Sequence, residues 1–222
     1  MIDLRAKTIQ GQIKEISEEL ADSAEHLKEL TKAVSIFGSA RTKPDNIYYT
    51  KALEISRGLA LAGFSIISGG GPGIMEAANK GCHEVGGTSV GLRIKLPFET
   101  NDNVYQSHSV SFKYFMSRKT TFFMNSWAYI IMPGGFGTLD ELFEALTLIQ
   151  TRKANKAPII FVGQEFWADL LSFFEKGLLA NGYISPSDLE LYTVTDDPEE
   201  VVRIVQKAYE ENADQPHKLG LC

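Results

Sequence analysis

The sequence predicts an α/β protein: a doubly wound, mainly parallel sheet flanked by helices, with an N-terminal helical extension. Two observations carry this. From residue 33 onward, short apolar runs alternate with amphipathic segments of helical period, the signature of βαβ units. Two of those runs end in glycine-rich loops that open a helix, SGGGPGIMEA at 68–77 and MPGGFGTLDE at 132–141.

Each element follows from its local pattern. Residues 3–30 read as a helix, because Ile9, Ile13, Ile16, Leu20, Leu27 and Leu30 recur at spacings of four and three, interrupted at Ser23. Such a stripe must pack on its own domain or on a second subunit. AVSIFG at 33–38 is a strand with a glycine exit, 46–62 a helix closed by Gly63, and FSIIS at 64–68 a second strand. A helix at 73–85, a strand at 89–94, a short strand at 110–112 and a helix to about Asn125 come next. WAYIIM at 127–132 is a strong strand, and 138–151 a helix with Leu139, Leu142, Phe143, Leu146 and Ile149 on one face. The remainder reads as strand 158–162, helix 166–179, strand 191–195 and a last helix opened by Asp197 and Pro198. The expected organisation is an N-terminal helix at 1–32, one domain at 33–211 and a flexible tail at 212–222.

Composition excludes several classes. At 222 residues, with 44% hydrophobic and 23% charged side chains, the chain is neither disordered nor a membrane bundle. Its uncharged run from Thr120 to Leu139 is long enough to span a bilayer but carries Asn125, Ser126 and Pro133, so a buried strand feeding a glycine loop explains it better. No apolar signal core follows Met1, and a cytoplasmic location is expected. The two cysteines, Cys82 and Cys222, exclude a disulfide framework and a four-thiolate zinc site. His26, His83, His108 and His217 share no chelating spacing, so neither a metal nor another cofactor is expected. A net charge of -6 argues against a nucleic-acid binder. The middle is nevertheless basic, with Arg93, Lys95, Lys113, Arg118 and Lys119 against Glu99 and Asp102, which suits either a small anionic ligand or a solvated face.

Both glycine loops can turn exposed N–H groups and a helix dipole toward a phosphate. Neither is a GxGxxG fingerprint and neither contains GK[ST], which argues against NAD oxidoreductases and P-loop kinases. Thr138 and Glu141 have the spacing of a capping box, and Asp140 suits the dipole of a first turn; a carboxylate beside a nucleotide sugar is the functional alternative for Glu141. Arg118 and Lys119 lie about 100° apart on an otherwise uncharged helix, so at least one is expected to face a cleft or an anion, with plain solvent exposure the alternative.

GSAR at 38–41, SGGGPGIMEAANKG at 68–81, MSRK at 116–119 and above all PGGFGTLDE at 133–141 resemble the LOG, or "Lonely guy", family. Its members are phosphoribohydrolases that activate cytokinins and are often mislabelled lysine decarboxylases. The FGSAR start and the long first helix resemble its larger, bacterial-type members. The resemblance implies a Rossmann-like fold, a homodimer, and hydrolysis of a nucleoside 5′-monophosphate, a cytokinin riboside monophosphate or AMP, to free base and ribose 5-phosphate. It makes Arg118 and Glu141 the catalytic pair. It makes Gly134, Gly135, Phe136, Gly137, Thr138, Leu139 and Asp140 the nucleotide loop, and Lys119, Glu99 and Thr147 further substrate contacts. Gly70, Gly71 and Gly73 of the first loop and Ser39 of GSAR complete the expected binding set. A broader purine nucleotide nucleosidase and a non-catalytic carrier like those of molybdenum cofactor are the rivals. For the dimer, the aromatics Phe112, Tyr114, Phe115, Phe122 and Phe123 suggest an interface built by the Arg118 helix and the helix after the PGGFGT loop; the alternative is that they fill the home core, and the stripe from Ile9 to Leu30 offers a second contact for a larger oligomer.

Overall fold

The computed structural model describes residues 4–95 and 103–212. Seven parallel strands form one sheet in the order β4-β3-β2-β1-β5-β6-β7. They are β1 (Ala33–Phe37), β2 (Ser65–Ser68), β3 (Ser89–Ile94), β4 (His108–Phe112), β5 (Ser126–Ile131), β6 (Ile159–Phe161) and β7 (Tyr192–Val194). The helices are α1 (Leu4–His26), α2 (Ile47–Leu61), α3 (Ile74–His83), α4 (Phe115–Asn125), α5 (Phe136–Gln150), α6 (Gln164–Phe173) and α7 (Pro198–Asn212). The doubly wound, Rossmann-like α/β class expected from the alternation is therefore what the chain adopts.

An all-parallel sheet must be covered on both faces, and the period of two along each strand supplies two cores. Val34, Ile36, Ala128, Ile130 and Ile160 point to one face, where α2, α3 and α7 cover them. Phe37, Tyr129, Ile131, Ile159 and Phe161 point to the other, where α4, α5 and α6 pack. Sequence order reverses between β1 and β5, and that reversal opens a crevice at their carboxyl ends.

Several details depart from expectation. The chain enters α5 at Phe136 with Gly135 at the N-cap, so Thr138 lies inside the first turn and no capping box with Glu141 forms. The reason is local: Thr138 packs its hydroxyl end over Gly134, where a Cβ would collide with it. Helix α6 starts at Gln164 and ends in a π-helical stretch, Phe174–Leu179, and a 3₁₀ helix at Pro186–Leu191 precedes β7. Pattern alone does not show either, since both depend on tertiary packing. Helix α1 packs on α4 through its second half. Leu27 is buried, whereas Ile9 and Ile13 of the expected stripe stay exposed. No helix among the described residues is long and apolar enough to cross a membrane. Residues 213–222, most of the expected tail, lie outside the described residues.

Candidate active site

Both glycine loops leave the sheet at the crevice. The first follows β2. Its carbonyls are taken up from behind: Asn103 Nδ2 donates to the Gly71 carbonyl at 3.1 Å and Gln106 Nε2 to the Gly70 carbonyl at 2.9 Å. The buried Asn79 ties this together, accepting from the Ser68 hydroxyl at 2.6 Å and from Asn103 at 2.9 Å, and donating to Ser89 and Val90 on β3. Gly73 takes a positive φ of 68° and lies so close to the Ser39 carbonyl that no side chain fits there. The Ile74 N–H donates to that same carbonyl, which joins the GSAR turn to the start of α3.

The second loop follows β5. Gly135, Phe136 and Gly137 are exposed at the mouth, whereas Thr138 and Glu141 face inward and are buried. Between the loops lies an open cleft of ≈ 890 Å³. Arg118 and Glu141 meet in it. Their side chains come from α4 and α5, with Nη1 3.6 Å from Oε1, and both residues are less than a tenth exposed. Arg118 Nε donates to the Leu92 carbonyl at 2.7 Å, and its guanidinium lies over the Phe122 ring and against Gly69, where a Cβ would strike it. Burial is the main cause that pushes the Glu141 carboxyl up to about 7; Asp140 adds to this, while Arg118 and Lys119 oppose it. A carboxyl with that pKa exchanges its proton near neutrality, as a general acid or base requires.

Those expected site residues that are described divide into three groups. Ser39, Gly71, Gly134, Gly135, Phe136, Gly137, Thr138 and Leu139 line the cleft with Arg118 and Glu141. Gly70 and Gly73 shape the first loop without lining it. Lys119, Asp140 and Thr147 do not line the cleft. Lys119 pairs with Glu144 at 2.8 Å and with Asp140 at 3.0 Å; burial acts against its charge, but these two carboxylates outweigh burial and raise its pKa. Thr147 is exposed and donates back to the Phe143 carbonyl at 2.7 Å. Glu99 lies outside the described residues. Sequence reasoning missed Tyr48, Met75, Phe115 and Phe166, which give the cleft an apolar wall. Met75 and Phe166 each lie within three residues of a strand-end loop, and that position was the available signal.

Of the five aromatics expected at a subunit interface, Phe112, Phe122 and Phe123 fill the home core instead. Phe115 is exposed, together with Met116 and Met124.

Fold and site together define an α/β protein with an open cleft at the topological switch point, floored by a buried arginine–carboxylate pair. A family model described as "Possible lysine decarboxylase" matches residues 75–205. The cytokinin riboside 5′-monophosphate phosphoribohydrolase of Mycobacterium tuberculosis is 33% identical over 158 residues, covering 68% of this chain and 82% of that one. A cytokinin riboside 5′-monophosphate phosphoribohydrolase of Arabidopsis thaliana is 28% identical over 174 residues, covering 77% and 79%. Among solved structures, the molybdenum cofactor carrier protein from Chlamydomonas reinhardtii superposes with a TM-score of 0.60 at 22% identity, covering 81% and 98%, a likeness of fold. The chain belongs to the LOG family, the group whose model carries the lysine decarboxylase description.

Proposed function

We propose that this protein hydrolyses the N-glycosidic bond of a nucleoside 5′-monophosphate, a cytokinin riboside monophosphate or AMP, releasing free base and ribose 5-phosphate. The observation that carries the reading is the Arg118–Glu141 pair, buried between two glycine loops at helix N-termini. The relatives named for this activity support it.

Cleavage of the bond builds positive charge on the ribose, as in glycoside hydrolysis. Ionised Glu141 stabilises that charge and orients or deprotonates the attacking water. Arg118 holds Glu141 and a ribose or phosphate oxygen through its planar fork. The N–H groups of the PGGFGT loop and the Thr138 hydroxyl hold the 5′-phosphate, so binding away from the reacting bond positions it. The apolar wall of Tyr48, Met75 and Phe166 takes the base.

The test is incubation with AMP and with isopentenyl-AMP, followed by chromatography for free base and ribose 5-phosphate. Release of base from either supports the hydrolase. Tight nucleotide binding with no release from either would mean a carrier. Adenosine is expected to be turned over at least a hundredfold more slowly than AMP, because it forgoes the phosphate contacts that position the bond. Comparable rates for the two would overturn the assigned role of the glycine loops.

The assembly belongs to the same proposal. Phe115, Met116 and Met124 of α4 and Phe143 of α5 are 53%, 64%, 46% and 42% exposed, an apolar set that suits burial between two copies. Light scattering is expected to give a dimer for the full chain and a monomer for Met116→Asp. A wild-type monomer with full activity would refute it.

A further inference from the structure

Helix α4 carries Arg118, yet it has no N-terminal cap of its own. Tyr114 stands at the N-cap without a side-chain capping bond, and the first turn holds no acidic residue. Unpartnered N–H groups at a helix start need an acceptor. Here Glu19 of α1 supplies one for the N-cap residue Tyr114 and for Lys113 just before it. Glu19 receives the Lys113 N–H at 2.6 Å, the Tyr114 N–H at 3.4 Å and the Ser117 hydroxyl. One turn earlier, Glu15 accepts from the Lys113 ammonium at 2.6 Å and from the Tyr114 hydroxyl at 2.7 Å. One turn later, the hydroxyls of Ser23 and Thr121, both buried residues, lie 3.0 Å apart. Glu15, Glu19 and Ser23 thus form one polar seam at helical spacing.

We infer that Glu19 is a positioning residue for Arg118: by capping α4 it sets the direction in which the guanidinium leaves that helix to meet Glu141. The link is short. The Arg118 N–H donates to the Tyr114 carbonyl at 3.3 Å, and the one proton of the Ser117 hydroxyl is shared between Glu19 and that same carbonyl, 3.0 Å away. The residue that Glu19 caps is therefore the one on which the Arg118 backbone is anchored. The guanidinium must reach the Leu92 carbonyl and Glu141 together, which leaves little room for α4 to rotate or slide. A carboxylate at the positive end of the helix adds a dipole interaction to the geometric one. The family match starts at residue 75, so α1 lies outside it. The inference rests on the catalytic reading of Arg118 and Glu141.

The test uses the full chain as wild type, Glu19→Ala and Glu19→Gln, with Glu18→Ala as control, since Glu18 is exposed and pairs with its own-helix neighbour Lys14 at 3.6 Å. The Glu141 carboxyl is titrated by carbon-13 NMR, its resonance assigned with Glu141→Gln, and kcat and KM for AMP are followed across pH. Glu141 is faced by Arg118 from α4 and feels, from outside the cleft, the charges of Lys119 on α4 and Asp140 on α5. Moving Arg118 away weakens the main attraction on the carboxylate. Glu19→Ala is therefore expected to move the Glu141 titration and the acid limb of kcat to higher pH, with kcat lower by about ten- to a hundredfold and KM little changed. Glu19→Gln keeps one acceptor oxygen and is expected to recover most of the loss. Glu18→Ala should match wild type. A lower melting temperature for Glu19→Ala with unchanged Glu141 titration and unchanged kcat would reduce α1 to a buttress and overturn the inference. If Glu19→Ala does not fold, Ser117→Ala removes the hydroxyl link, and an unmoved titration there overturns it equally. Should the wild type release no base, the proposed reaction fails, while the NMR titration still decides the positioning role.

Discussion

Glu141→Gln is expected to lower base release from AMP by about 10²–10⁴-fold while AMP still binds. The substitution keeps the shape of the side chain and its place on α5 but removes the charge that the proposed reaction needs. Because α5 is capped at Gly135 and Thr138 stands inside the first turn, Glu141 has no capping duty to lose. The variant therefore separates chemistry from folding. The pH dependence of stability gives a second reading. The folded carboxyl titrates at about 7, above the ordinary 4.5. A group whose folded pKa is raised contributes stability that is fully present below its unfolded pKa and lost as pH rises through the folded one. Wild type should thus lose up to about 3 kcal/mol between about pH 4.5 and 7 from this residue, and Glu141→Gln should lack that component. Denaturant melts of both proteins across this window check the sign. A variant with wild-type turnover would remove Glu141 from the mechanism.

Arg118→Ala is the second large effect, again about 10²–10⁴-fold in kcat/KM. Two losses combine. The guanidinium no longer holds a ribose or phosphate oxygen, and Glu141 is left buried without its principal counter-charge. Its carboxyl should then titrate well above its wild-type value, so the acid limb of the rate profile moves up in pH. Arg118→Lys is not expected to restore activity, since a lysine has no Nε to bond the Leu92 carbonyl while also reaching Glu141. Rates measured across pH for both variants decide this; a wild-type profile for Arg118→Ala would sink the assignment.

Much of the fold was legible in the sequence, because buried parallel strands are written as short apolar runs and glycines mark their exits. AVSIFG, FSIIS and WAYIIM became β1, β2 and β5 with no end moved by more than one residue. The site was legible in part. Both glycine loops could be placed at one end of the sheet, but nothing in the spacing brings Arg118 to Glu141; that pairing came from resemblance. Helix phase decided the adjacent cations: Arg118 points into the cleft, and Lys119 is held on the outer side by Asp140 and Glu144. The cap from Glu19 on α4 joins residues 94 to 98 apart in sequence, and no local pattern can announce such a contact.

The two glycine loops belong to different layers. The first opens α3, whose Ile74, Ala77 and Cys82 sit in one core, and the second opens α5, whose Leu142, Ala145 and Ile149 sit in the other. The sheet joins those layers, and so does the turn at Ser39, whose N–H donates to the Pro133 carbonyl and whose own carbonyl accepts from Ile74. A ligand gripping both loops adds a further tie, across the open edge of the crevice. Occupancy should therefore sharpen unfolding as well as delay it, and amide exchange should slow together in α3 and α5 rather than in either alone.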